Sequence, residues 1–146
     1  MADPRPWLEH YPPGVPAEID VGAFPSIVAM FEQACARHPQ RPAYSSFGVA
    51  LTWAELDRES AAFAAFLANE WKLGKGDRLA IMLPNLLQYP IALFGALRAG
   101  LTVVNVNPLY TARELQHQLE DSGAKSIVVL ENFAATLASV RYNTPV

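Results

Sequence analysis

Positions 78–83 (Arg-Leu-Ala-Ile-Met-Leu) and 101–106 (Leu-Thr-Val-Val-Asn-Val) are short, nearly unbroken apolar runs, the pattern of strands covered on both faces of a parallel sheet. A parallel pair needs a crossover of about a dozen residues or more, and positions 85–99 supply one. Asn85-Leu-Leu-Gln88 has the chemistry of a helix cap, but Pro90 would then remove a hydrogen bond in the second turn. The regular helix therefore starts either at that cap or at Pro90 itself, and Gly100 ends it in both cases. Thr111-Ala-Arg-Glu114 has capping-box spacing, with Leu115 and Leu119 facing inward and Gly123 as the stop before a strand at 126–130. Asn132 is placed to cap a further helix through Val140, after which Tyr142-Asn-Thr-Pro-Val146 stops without a terminating motif. The order from Arg78 is β-α-β-α-β, which predicts an α/β fold: a mainly parallel sheet with right-handed crossovers, flanked by helices.

The earlier residues read differently. Pro4, Pro6, Pro12, Pro13 and Pro16 each fix φ and remove a donor, so residues 1–24 are expected to form an extended arm, pinned to the body by Trp7 and Tyr11. Pro25 and Ser26 open a helix with apolar positions Ile27, Met30, Phe31, Ala34 and Cys35, and Pro39 closes it. Positions 43–47 and 49–52 are β-prone runs joined around Gly48, a small hairpin or two edge strands. Thr52-Trp-Ala-Glu55 is a second capping box. A long helix follows, with Leu56, Ser60, Phe63, Leu67 and Trp71 as its inner stripe, Phe66 flanking, and Gly74 as its left-handed stop. No internal repeat or low-complexity tract appears beyond the proline-rich start. The division is an arm at 1–24 and an α/β subdomain at 25–146.

Composition narrows the function classes. The chain has 146 residues, 51% of them apolar, enough to close one core. A formal charge of −3 with three lysines and eight scattered arginines offers no basic patch for counterion release, so no nucleic acid is expected as a partner. Cys35 is alone, which excludes an intrachain disulfide and favours a reducing, cytosolic address. The first 25 residues carry Asp3, Arg5, Glu9, Glu18, Asp20 and six prolines, unlike a signal peptide. Positions 79–97 are 19 residues without a charge, near the length of a bilayer span. Pro84, Asn85, Gln88 and Pro90 within them would leave polar groups unsatisfied in hydrocarbon. Peripheral contact at the inner face of the cytoplasmic membrane stays open.

The chain offers little catalytic or ligand-binding chemistry. Phosphate binding needs consecutive backbone amides on a glycine-rich turn ahead of a helix. The turns here are Pro84-Asn85, Asn107-Pro-Leu-Tyr-Thr111 and Glu131-Asn-Phe133, with neither a G-x-G-x-x-G nor a P-loop pattern. Gly74-Lys-Gly76 reads as a tight turn before a strand. His10, His38 and His117 have no cysteine or carboxylate at ligand spacing, so no metal site is expected. His38 complements a helix C-terminus, and His117 lies opposite the Leu115 and Leu119 face. Cys35 sits in an apolar stripe as packing, and Ser45, Ser46 and Ser60 lack a histidine partner in any nucleophile elbow. Adjacent Glu120 and Asp121 diverge on their helix and read as a solvated face. No catalytic, cofactor-binding or metal-binding residue is assigned. Asn105 and Asn107 close a strand at its C-terminal end, where open parallel sheets hold ligands. They are weak candidates for shaping a cleft, with turn capping ahead of Pro108 as the plainer role.

Several strings carry a resemblance. Trp7-Leu-Glu-His-Tyr-Pro12, Phe31-Glu-Gln33, Gly76-Asp-Arg78 leading to Leu83-Pro-Asn85, and Ala99-Gly100 leading to Asn107-Pro108 together cover most of the chain from Pro6. The chain resembles acyl-adenylate-forming (AMP-binding) ligases. Tyr89-Pro-Ile-Ala-Leu-Phe-Gly95 and Asn105-Val-Asn-Pro-Leu-Tyr-Thr111 make it most similar to bacterial long-chain fatty acid CoA ligases of the FadD type. The resemblance implies one subdomain of the large N-terminal domain of an adenylating enzyme, inactive alone and truncated at its C-terminal end. It also implies a parent several times longer that uses ATP, magnesium and coenzyme A on a fatty acid. The phosphate loop, magnesium-linked glutamate, adenine contacts and hinge of such enzymes match no position here. Homodimer contacts are a further expectation of the resemblance; a ligase for another carboxylic acid, medium-chain or aryl, and a non-enzymatic interaction or oligomerisation module are the alternatives.

Overall fold

The central element is a strand, β3 (Arg78–Met82), nearly all of it buried. The computed structural model describes residues 5–140; the terminal residues 142–146 discussed above lie outside that range. Upstream lie α1 (Ile27–Arg37), β1 (Pro42–Ser46), β2 (Val49–Thr52) and α2 (Trp53–Asn69). Downstream lie α3 (Gln88–Arg98), β4 (Thr102–Asn105), α4 (Ala112–Ser122), β5 (Ser126–Val129) and α5 (Ala134–Ala138). The three later strands form one parallel sheet in the order β4-β3-β5, with Ile81 opposite Asn105 on one side and Val128 on the other. β1 and β2 form a separate antiparallel hairpin. This is the α/β arrangement expected from the apolar runs.

Alternation along β3 sorts the core into two layers. Leu79, Ile81 and Leu83 pack with Leu67 of α2 and with Ala92 and Ala96 of α3. Ala80 and Met82 pack on the other face with Leu115 and Leu119 of α4, with Phe133 and Leu137 beside them. A central strand with α3 on one face and α4 on the other, and β4 and β5 on opposite flanks, is what two right-handed crossovers running in opposite directions produce. A third cluster, Phe31, Cys35, Leu51 and Leu56, joins α1 to the hairpin and α2.

Both capping boxes form. The Thr52 hydroxyl accepts from the Glu55 amide at 3.2 Å while Glu55 Oε2 accepts from the Thr52 amide at 2.8 Å. Thr111 and Glu114 repeat the exchange at 3.4 and 2.8 Å. Ser26 caps α1 through the Ala29 amide at 3.0 Å, and Gly123 ends α4 with φ 61°, the left-handed stop that glycine suits.

Five local expectations need correction. Gly74 does not end α2: the left-handed residue is Lys72, at φ 55°. The reversal comes earlier because Leu73 must return to the core, its amide bonding Leu67 O at 3.1 Å. Gly74 instead donates to Asp77 Oδ2 at 2.8 Å in the turn that starts β3. Helix α3 begins at Gln88, between the two expected starts. Pro90 is then the third helical residue, where its missing N–H would have had no intrahelical partner. Asn132 lies inside a 3-10 turn, Glu131–Phe133, rather than capping the last helix, and Phe133 packs on the sheet instead. On α1 only Phe31 and Cys35 of the expected stripe are buried, while Ile27 and Met30 stay exposed. In the arm, Pro6–His10 forms a 3-10 helix, and Trp7 and Tyr11 remain 52% and 41% exposed, so neither is sunk in the described core. Among the described residues no helix is long and apolar enough to cross a membrane.

Helices α2 and α3 meet at Gly95. A Cβ there would stand 2.8 Å from Phe63 Cδ1 and 3.0 Å from the Ser60 carbonyl oxygen. Gly95→Ala should therefore lower stability by about 1–3 kcal/mol in urea titration, although helix propensity alone favours alanine by about 1 kcal/mol. A stabilised variant would show that the helices separate at no cost.

The caps give a pH prediction. Hydrogen bonds from the threonine amide and then the hydroxyl hold the Glu55 and Glu114 carboxyls below their ordinary range. A lowered folded value means that the stabilisation is complete above the unfolded pKa and disappears as pH falls through the folded one. The gap in thermal midpoint between the parent chain and the Glu55→Gln, Glu114→Gln variant should be widest near pH 7 and close towards about pH 2. A gap that stays constant across the titration would refute the assignment.

Candidate functional site

β3 leads into α3 on one face and β4 into α4 on the other, so the C-terminal ends of these two neighbours form a topological switch point. Open α/β sheets hold ligands in the crevice at such a point. Here the crevice is crossed by side chains. The Tyr89 hydroxyl on α3 donates to Asn105 Oδ1 at the end of β4 at 3.0 Å, and Gln118 Nε2 of α4 donates to the Asn105 carbonyl at 2.9 Å. One asparagine thus ties both crossover helices to the strand between them.

Asn107 does what an asparagine before a proline turn commonly does. Its Oδ1 accepts from the Leu109 amide at 3.0 Å and its carbonyl from the Tyr110 amide at 3.1 Å. The two asparagines proposed from sequence therefore separate: Asn107 caps its turn, and Asn105 links helices.

Several amides at the strand ends are also committed internally. After β3, the Leu86 and Tyr89 amides bond Pro84 O and Leu86 O at 2.8 and 3.0 Å; after β5, the Phe133 amide bonds Leu130 O at 2.8 Å. Three recesses border this framework. One of about 260 Å³ lies between the hairpin and the post-β3 turn, lined by Tyr44, Ser46, Asn85 and Tyr89. An apolar groove of about 330 Å³ runs along β5 past Phe63, Ile91, Val128 and Leu130. The third, about 400 Å³, contains Glu32, Cys35, Asp57 and Arg98.

Arg98 was not singled out by sequence reasoning. Its guanidinium donates to the Asp57 carbonyl at 2.7 Å and Ser60 Oγ at 3.1 Å, pairs with the Asp57 carboxylate, and lies 5.0 Å from the centre of the Phe31 ring. Its isolation was a usable signal: it is the only charged residue between Arg78 and Arg113, on an otherwise apolar helix that must meet other helices. Cys35 beside it is buried, and burial chiefly, then the Asp57 charge, pushes its thiol up. That makes it a packing residue rather than an activated thiolate. His38 caps the C-terminus of α1, and His117 and Glu120 are exposed on α4. Among the described residues no group of three or more His, Cys, Asp or Glu stands together as a metal cage.

Comparison with known proteins supplies what this geometry leaves open. The family model described as AMP-binding enzyme matches residues 31–144. The chain belongs to the AMP-binding enzyme family. It is 58% identical over 140 residues to the long-chain-fatty-acid CoA ligase of Haemophilus influenzae, a match covering 96% of this chain and 25% of that protein. In structure it is similar to a fatty acyl CoA synthetase from Mycobacterium tuberculosis, with TM-score 0.71 and 28% identity over 79% of this chain and 23% of the other. A benzoate CoA ligase from Burkholderia xenovorans shares the fold, with TM-score 0.72 and 22% identity over 76% of this chain and 22% of the other. The chain spans about a quarter of the length of the curated relatives it matches. In this chain the Tyr89–Asn105–Gln118 link fastens both crossover helices to the end of β4.

Tyr89→Phe removes the hydroxyl that bridges α3 and β4 and should cost about 1 kcal/mol in chemical denaturation. An unchanged midpoint would mean that solvent replaces the bond without loss.

Proposed function

We propose that this chain is the N-terminal portion of a long-chain-fatty-acid CoA ligase and serves as structural framework for its adenylating domain. One observation carries the reading: identity of 58% that runs through the arm, the hairpin and the sheet rather than one motif, to a protein of that name. The proposed division is an arm at 1–24 and an α/β subdomain at 25–146.

In the proposed reaction a fatty acid carboxylate oxygen attacks the α-phosphorus of ATP, assisted by magnesium, and pyrophosphate leaves. The thiol of coenzyme A then attacks the acyl carbonyl of the mixed anhydride; AMP leaves, and the thiol proton passes to solvent. Adenylation thereby converts a poor acyl donor into a reactive one. Residues 1–146 contribute no group to either step on this reading. The strand-end amides engaged in their own turns support that assignment, because a phosphate cradle needs such donors unpaired. The parent protein would work in the cytoplasm, with peripheral membrane contact and a homodimer as further expectations.

Two measurements test this. The complete protein should convert palmitate, ATP and coenzyme A to acyl-CoA, AMP and pyrophosphate, with higher kcat/KM than for benzoate or a medium-chain acid. The 146-residue chain alone should show no calorimetric binding of magnesium-ATP with Kd below about 1 mM. Preference for an aryl acid overturns the substrate class, and tight ATP binding by the chain overturns the placement of the nucleotide site.

A further inference from the structure

β5 has one partner and one open side among the described residues. In the order β4-β3-β5 it pairs with β3 alone, and all four of its residues are only partly buried, whereas four of the five in β3 are buried. The Leu130 amide bonds Met82 O at 3.3 Å, which turns it towards β3. Amides alternate in direction along a strand, so those of Ile127 and Val129 point to the open side. Residues 126–130, Ser-Ile-Val-Val-Leu, contain no charge, proline or glycine. They carry none of the usual devices that keep a true sheet edge from pairing.

Handedness says where the chain goes next. α4 carries it from β4 across β3 to β5 while covering the Ala80 and Met82 face, and Phe133 and Leu137, which follow β5, pack on that same face. A right-handed crossover on one face keeps one direction of travel, so the path through α5 leads outward past β5 rather than back to β4. The opposite face offers a seat at that place. The apolar groove of about 330 Å³ runs beside β5 between Phe63 of α2, Ile91 of α3 and the Val128 and Leu130 side chains.

We propose that the open edge of β5 is an internal docking surface of the parent protein, taken by a parallel strand from the segment that follows Val146. The backbone of that strand pairs with the Ile127 and Val129 amides, and its side chains on the α2 and α3 face fill the groove against Phe63 and Ile91. Covered on both faces, it reads as an unbroken apolar run. The assignment rests on the proposed function for the existence of such a segment: the chain spans about a quarter of the relatives it matches, which leaves the larger part of the parent to supply it. The framework role gains a definite place at which the remainder of the adenylating domain is joined.

The test is residue-resolved amide hydrogen exchange on the complete protein, without added acid or nucleotide. The Ile127 and Val129 amides should exchange at least about a hundredfold more slowly than unprotected amides, at a rate that does not depend on protein concentration. Fast exchange at either amide overturns the proposal. Protection that appears only at high protein concentration also overturns it, because the occupant is then a second copy. Protection that appears only when palmitate is added does the same, in favour of an acyl chain in the groove. Failure of the ligase reading is seen separately: the complete protein would form no acyl-CoA from any acid, while slow exchange at positions 127 and 129 would still establish the paired edge.

Discussion

The near-contact of α2 and α3 holds the two halves of the chain together. It depends on a glycine at position 95, whose missing side chain lets the helix lie against the Ser60 carbonyl and the Phe63 ring. Arg98, one turn further along α3, then reaches across to the Asp57 carbonyl and Ser60 hydroxyl and lies over Phe31 of α1. The small residue sets the distance and the arginine sets the register. Arg98 is only 12% exposed, whereas Asp57 is about half exposed, so the ion pair forms with a partner that keeps much of its hydration. Such a pair adds little net stability once desolvation is counted, but it does penalise sliding of α3 along α2, which would leave a guanidinium buried without acceptors.

From that contact the sheet follows. With α2 and α3 fixed on one face, Leu79, Ile81 and Leu83 of β3 have a partner layer, and the alternate residues Ala80 and Met82 are left to α4. The small side chain at position 80 lets α4 approach a strand that must be covered on both sides. Asn105 completes the arrangement by bonding to Tyr89 on α3 and Gln118 on α4, which makes the strand-end crevice a fastened joint. The same place in other open α/β sheets is where ligands enter. Here its polar groups are used to keep two crossovers in register.

What could be read from the sequence divides by range. β3, β4, both threonine caps and the Gly123 stop were legible because each depends on neighbours within about four residues, through apolar runs, capping-box spacing and left-handed preference. The end of α2 was not legible, since the need to return Leu73 to the core shifted the left-handed turn to Lys72, a residue with no preference for it. The start of α3 failed for a related reason: two rules about Pro90 competed, and its position as third helical residue satisfied both. The outer half of the α1 stripe is apolar yet exposed, and no pattern within the helix distinguishes Ile27 from Phe31. Asn105 was found by its place at a strand end, but its role depends on Tyr89, 16 residues away, and on Gln118, 13 away. Family membership was legible for another reason, because strings such as Asn105-Val-Asn-Pro-Leu-Tyr are recognised as wholes without knowing what each residue does.

The same division explains why a unit with the topology of a nucleotide-binding fold need not bind a nucleotide. Topology supplies a crevice, but an anion is held by amides with no other acceptor. Pro84 and Pro108 have no amide hydrogen to give, and the Leu86, Tyr89, Leu109, Tyr110 and Phe133 amides each have an acceptor within their own turn. Opening those turns to a phosphate would exchange formed hydrogen bonds for new ones, with little net gain before the cost of ordering the ligand. Glycine-rich turns avoid that exchange by leaving donors exposed from the start. A proline-punctuated version of the same fold is therefore suited to carrying load between helices, which fits the framework role proposed for this portion of the ligase.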